Sequence, residues 1–425
     1  MDHSHRRLLF TLLALACFAA LAGCASLTAS LVPTPTAGTP DVAVVSTAQP
    51  TASSERAITL ILWLPPQFDP SSGSLAAGML QTRLDEFTGQ HPQVLINTRI
   101  KDESGTGGLL ESLMRAQQAA PLALPDVVLM PAGLLPQAAA AGVLHPQSQL
   151  TNELGSNDWY PFAVQLASAE DARYGLPFMA DGLVAAHRST AISQVPPTWV
   201  RLMDTRIALG FAAADPQARL PLLQLLSLPG RDENTIPEQN LLELFDFFAT
   251  GQARGVFPFW LTQYQSNEQT WQAFSEGRLP MVTAWTSQVF ANRQTEISGA
   301  PLPTQNGQPF TLVRGWVWSV ATENSERAAL ASELIAFLST PEFLAQYSAA
   351  ASLLPPRPSS LAAWAPGANQ ALASQLVNNA QALPDQATTE RWGTALSQAV
   401  VAVLKQEMTA AEAAASVRDA FAADE

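Results

Sequence analysis

From Ile58 to Gly142 the chain alternates between two hydrophobic rhythms, and that alternation limits the folds open to it. Ile58 to Leu64 is a continuous apolar run, Gly78 to Thr88 carries Met79, Leu80, Leu84 and Phe87 at helical spacing, and Val94 to Ile100 reads as a second strand. A helical stretch from Leu109 to Ala120 leads into Asp126 to Met130, a buried-strand pattern, and then into a helix ending at Gly142. Strands interleaved with helices close βαβ units, so the pattern predicts an α/β fold with a mainly parallel sheet. Ligands of such sheets lie at the carboxyl ends of the strands, which puts Trp63 to Gln67 and the loop after Met130 at the rim of any cleft.

About 370 residues follow Glu55, more than one hydrophobic core usually holds, so two lobes are expected. Hydrophobic residues make up 47% of the chain and charged residues 14%, which supplies large cores beneath a weakly charged surface. A formal net charge of −14 argues against nucleic acid as a partner, because phosphates need basic surfaces.

The N-terminus reads as an export signal. Arg6 and Arg7 precede an apolar segment from Leu8 to Ala20, too short for a hydrocarbon core of ~30 Å but ordinary inside a signal peptide. Leu21-Ala22-Gly23-Cys24 follows and resembles the lipobox of bacterial lipoproteins, in which the chain is cut before the cysteine and the thiol receives a diacylglyceryl group. The resemblance implies a signal peptide over residues 1–23, a lipidated Cys24, and a mature chain anchored to the cell membrane on its extracytoplasmic side. With Cys17 cut away and Cys24 acylated, no thiol remains for a disulfide, a metal or nucleophilic catalysis. Residues 24–55 then form an anchor and linker: 15 of the 31 residues from Ala25 to Glu55 are Ser, Thr or Pro and none is aromatic, too little apolar surface to drive folding.

Several further segments follow one another in a specific order. They are Ile58-Thr59-Leu60-Ile61-Leu62-Trp63, Leu84-Asp85-Glu86-Phe87 with His91-Pro92, Leu124-Pro125-Asp126-Val127-Val128 and Tyr174-Gly175-Leu176-Pro177-Phe178. Trp271-Gln272-Ala273-Phe274 with Gly277, Met281 to Trp285, Arg314-Gly315-Trp316, and Thr340-Pro341-Glu342-Phe343 after a helix from Ala328 to Leu338 complete the series. Together they resemble the extracellular solute-binding proteins of ABC transporters, in particular the sugar-binding group that includes maltose-binding protein. The resemblance implies a two-lobed periplasmic-binding-protein-like fold of type II, with a ligand cleft between lobes joined by hinge crossings. The crossings are expected near Gly175 to Asp181, Met281 to Trp285 and Ala321 to Arg327. Lobe 1 would then comprise residues 56–175 and 281–322, and lobe 2 residues 176–280 and 323–425. The resemblance also implies a monomer that closes on a mono- or oligosaccharide and delivers it to a membrane permease, without a cofactor or metal. His187-Arg188 departs from the family, where many relatives have an aromatic residue followed by Asn.

Ten tryptophans against four tyrosines suit a sugar, whose CH face an aromatic ring can cover while polar neighbours bond its hydroxyls. Trp63, Trp285 and Trp316 stand where, by the resemblance, chain segments reach the cleft. Arg314 and Trp318 share a face with Trp316 if that stretch is a strand of period two, Arg314 as a ligand or ion-pair partner and Trp318 as a packing residue. Asp181, just after the first crossing, is expected either to accept ligand hydroxyls or to cap a local element. Tyr174 and Tyr264 complete the candidates, while Trp159, Trp199, Trp260, Trp271, Trp364 and Trp392 are expected to pack.

Enzyme signatures are missing from the sequence. No G-x-S-x-G, H-E-x-x-H or phosphate-binding loop occurs, and Ser104-Gly105-Thr106-Gly107-Gly108 lacks the Lys-Ser/Thr that would follow, so it reads as a turn. His91, His145 and His187 are scattered without metal-ligand spacing. The chain is therefore read as a binding protein and not an enzyme, with a surface receptor or a non-sugar ligand as the alternative and a lipid-anchored glycoside hydrolase as the rival class.

Overall fold

The apolar run at the start of the domain becomes a strand with a hydrogen-bonded neighbour at each edge, and its second half is buried. The computed structural model describes residues 57–230 and 236–422. The signal peptide, the lipidated Cys24 and the linker expected over residues 1–55 lie outside the described residues. Strands β1 (Ile58–Leu64), β2 (Val94–Ile100) and β3 (Val127–Pro131) run parallel, with β1 in the middle. The helix Leu75–Gln90 crosses from β1 to β2; the Ser74 hydroxyl caps it by accepting from the Ala77 amide, and Leu80, Leu84 and Phe87 are buried. The helix Leu109–Ala119 crosses from β2 to β3.

A short hairpin of β4 (Ser168–Ala169) and β5 (Ala172–Arg173) precedes β6 (Gly175–Arg188), a 14-residue strand in which only Arg188 escapes full burial. β7 (Leu209–Gly210), β8 (Met281–Trp285), β9 (Ile297–Ala300), β10 (Thr311–Val320) and β11 (Ala380–Ala382) complete the strands. They pair in the order β2-β1-β3-β10-β6-β8-β7, with β11 beside β10 and β9 beside β6. From Gly175 to Gly182, β6 pairs antiparallel with β10; from Leu183 onward it pairs with β8 and β9. One strand therefore serves both halves of the molecule. Gly175 is obligatory at the start of that contact, since a Cβ there would stand 1.8 Å from the Trp318 carbonyl oxygen.

Each half has its own aromatic core. Phe178 stands 5.1 Å from Trp318 and 4.8 Å from Tyr347 in the first half, and Phe257 stands 5.0 Å from Phe247 and 5.6 Å from Phe211 in the second. The helices Ser325–Leu338 and Pro341–Ala351 pack in the first half, against the helix Leu75–Gln90. The helices Gln386–Leu404 and Ala410–Ala422 pack in the second, against the helix Glu238–Arg254.

β8 lies wholly beside the second part of β6, because its partners are Leu183 to His187 and β7. Arg327 is held beside β3 by a two-pronged ion pair to buried Asp126. Pairing changes sides within β6 at Gly182 and Leu183, and again between β9 and β10. Among the described residues no single helix is long and apolar enough to cross a membrane, and no group of three or more His, Cys, Asp or Glu side chains is arranged to hold a metal.

Candidate functional site

A cavity of about 650 Å³ opens between the two halves of the sheet. Its first wall comes from the segments that follow β2 and β3, reaching Glu103 and Pro131 to Leu134, from the β4–β5 turn at Glu170, and from Arg314 to Trp316 on β10. Its second wall comes from Trp285 at the carboxyl end of β8, from Gln217 and Arg219, and from Asp385 to Glu390 at the start of the helix Gln386–Leu404. Strand ends dominate the rim, as they do in open α/β sheets.

Arg314 and Trp285 form the centre of this site. The guanidinium carbon of Arg314 lies 4.2 Å from the Trp285 ring centroid and 5.7 Å from that of Trp316, and Arg219 approaches Trp285 to 5.7 Å from its own wall. Trp285 is only 2% exposed and Trp316 4%, whereas the Arg314 side chain is 41% exposed. The surface offered to the cavity at this point is therefore guanidinium and not indole. Arg314 donates through Nη2 to Asp181 Oδ2 at 3.0 Å. Asp181 is completely buried and also accepts from the Thr286 hydroxyl, the Ser287 amide and the Ser287 hydroxyl at 2.8, 2.9 and 2.8 Å. It thus joins β10 of the first half to the start of the helix Thr286–Ala291 in the second.

Arg219 is held in a parallel way, donating to Asp215 at 2.6 Å. Burial pushes the Asp215 carboxyl above the usual carboxylate value, against the opposing pull of Arg219 and of the Gln217 amide. Burial would likewise raise Glu268, but hydrogen bonds from its own amide and from Ser266, with the charges of Arg219 and Arg314, hold it below the usual range. On the first wall Glu103 accepts through one oxygen from both Trp316 Nε1 and Gln67 Nε2, which fixes the direction of that carboxylate.

Of the residues singled out from sequence, Trp285, Trp316 and Arg314 come together here. Asp181 is present but already bonded through both oxygens, which suits the local-cap alternative and leaves it unsuited to accept from a ligand. Trp63 is 4% exposed under the Lys101 ammonium on the β1–β2 face, away from the cavity lining. Tyr174 packs on the first-half core, and Tyr264, 8% exposed, leans on Trp260; neither lines the cavity. Trp318 is a core residue against Phe178, as expected. Glu103, Glu170, Arg219 and Gln386 were not anticipated. Glu103 could have been found from its place just past a strand end, whereas nothing in the local pattern marks Arg219.

Residues 82–390 match the model of a family described as bacterial extracellular solute-binding protein. No curated protein sequence matches the chain. Among solved structures the chain is similar to the cyclic alpha-maltosyl-1,6-maltose binding protein of Arthrobacter globiformis, with a TM-score of 0.69 at 16% identity over 86% of this chain and 98% of that one. It is similar to the sugar-binding protein MalE of Xanthomonas citri at a TM-score of 0.69 and 18% identity over 86% and 98% of the two chains. The maltose-bound MalE3 of T. maritima gives 0.64 and 18% over 85% and 98%. At these identities the likeness is one of fold, and it extends over both lobes.

Proposed function

Since the chain belongs to the bacterial extracellular solute-binding proteins, we propose that it captures a carbohydrate in this cavity and hands it to the membrane permease of an ABC transporter. The observation that carries the reading is the cavity itself, walled by both halves, which share one continuous strand, so that closing one half on the other encloses whatever lies between. Its walls mix oriented carboxylate acceptors with guanidinium donors over indole rings, the composition a polyhydroxylated ligand requires. Proteins of the same fold whose structures are described as maltose-bound or sugar-binding support the same class. Ligand acts by binding the closed form better than the open one, and the permease reads the closed form. On this reading the chain works outside the cytoplasm, tethered through lipid on Cys24 with residues 24–55 as the spacer.

A thermal-shift screen against mono- and oligosaccharides, with amino acids and short peptides as controls, tests the ligand class. A ligand at 100 times its Kd adds about 2.7 kcal/mol of stability, which such a screen resolves. Stabilisation by an amino acid or peptide alone would keep the scaffold and overturn the sugar, and turnover of a sugar would overturn the binding-protein reading. For the anchor, Cys24→Ser should abolish the acylated mass in the membrane fraction; an unchanged acylated species sinks it.

A further inference from the structure

Resting on the carbohydrate reading above, we propose that Arg314, rather than an indole face, is the group that meets the ligand, a guanidinium braced by Trp285 that offers its free Nη donors to ligand oxygens. Three observations converge on this. The Trp285 ring lines the cavity yet is 2% exposed, because Arg314 lies across it at 4.2 Å and Arg219 stands at 5.7 Å. A ring already covered by one cation and flanked by a second cannot also take the CH face of a sugar.

The donor inventory gives the second. A guanidinium carries five N–H donors, and the one hydrogen bond Arg314 makes among the described residues is Nη2 to Asp181. Arg314 Nε is itself buried, so the donors left for the cavity are the remaining N–H groups on Nη1 and Nη2, on a side chain that as a whole is 41% exposed. The third is rigidity. The Trp285 ring braces the fork on one side at 4.2 Å, and Asp181, itself locked by Thr286 and Ser287, holds one edge of it. A donor fork braced on one side and held at one edge is pre-organised, so little freedom is lost when it engages a pair of acceptors.

The chemistry such a fork recognises is two oxygens lying in its plane. Neighbouring hydroxyls of a neutral sugar provide them, and so does the carboxylate of an acidic sugar. Trp285 is then a positioning residue for Arg314.

The test uses the mature chain and two probes, maltotriose and trigalacturonate, titrated calorimetrically against wild type, Arg314→Ala, Arg314→Lys and Trp285→Phe, with thermal unfolding of each unliganded protein as the folding control. Arg314→Ala is expected to weaken binding about tenfold or more, and Arg314→Lys, which keeps the charge but not the planar fork, nearly as much. Trp285→Phe keeps an aromatic plane and should lose less. Tighter binding of trigalacturonate that weakens with salt assigns the carboxylate, and salt-independent binding of maltotriose assigns the hydroxyl pair. If Arg314→Ala binds as well as wild type or better, the uncovered indole is the platform, and the proposal fails while the carbohydrate reading stands. If neither these probes nor the wider sugar screen stabilises the wild-type protein, the carbohydrate reading fails and takes the proposal with it.

Discussion

Arg357 stands 3.8 Å over the ring of Trp159, and Arg314 stands 4.2 Å over that of Trp285. The two stacks use the same cation–π geometry but are finished differently. Arg357 is 6% exposed and its outer atoms are taken up by Glu153 at 2.6 Å and Asp158 at 3.5 Å. Arg314 has a single carboxylate partner, Asp181, which it shares with two residues of the opposite half. A stack closed by its own protein on every side contributes to folding alone. One left open on a cavity retains donors for something else, and the number of partners, not the stacking distance, separates the two cases.

The strongest way to break that comparison is Arg357→Ala. It takes the cation from Glu153 and from Asp158, which keeps its bonds from Ser359, and uncovers Trp159; because both carboxylates are partly solvated we expect a loss of about 2–3 kcal/mol with sugar affinity unchanged in the folded fraction. Urea unfolding alongside a binding titration measures both, and a stable variant would remove the distinction. Gly393→Ala probes the second wall. A Cβ there would stand 2.3 Å from the Pro216 carbonyl oxygen, so the helix Gln386–Leu404 must move off the 216–217 loop that leads to Arg219. A loss of about 1–3 kcal/mol is expected, with weakened binding as that wall recedes; normal stability would show that the loop yields freely.

Arg314→Ala completes the contrast through binding: it removes the cation bonded to completely buried Asp181, which keeps its bonds from Thr286 and Ser287, so about 1–2 kcal/mol of stability should be lost as well while sugar affinity falls. Unchanged affinity would instead class Arg314 with Arg357. The smallest effect concerns pH. In His187 on β6, burial holds the imidazole below its ordinary value of 6.5 in spite of the Ile192 carbonyl beside Nδ1. With the folded value depressed, the unfolded chain takes up the proton first. Stability is therefore complete above the unfolded value and declines as pH falls through the folded one. The unfolding midpoint should drop further in wild type than in His187→Gln between about pH 7.5 and about 5.5, and equal drops would acquit His187.

What could be read in advance was local. β1, the helix Leu75–Gln90, β2, the helix Leu109–Ala119 and β3 emerge from apolar periodicity because each writes its burial into adjacent residues. Trp285, Trp316 and Arg314 all line the cavity. Asp181 was ambiguous because its fate depends on Thr286 and Ser287, about a hundred positions away and facing it only once β6 and β8 pair. Arg219 and Gln386 left no trace in the pattern, since their importance comes from which helix ends the fold gathers on one wall of the cavity. Strand pairing likewise decides to which half β8 belongs, and no local pattern in the sequence records it.

β6 carries a last consequence. Its first eight residues complete the ladder of one half and its remainder that of the other, so neither half can come apart without stripping hydrogen bonds from a strand its neighbour also needs. The two halves are thus fused in their melting. Heat should dissolve them in a single cooperative transition, and in deuterium oxide the β6 amides should be among the last to lose their protons, on both sides of the hinge alike.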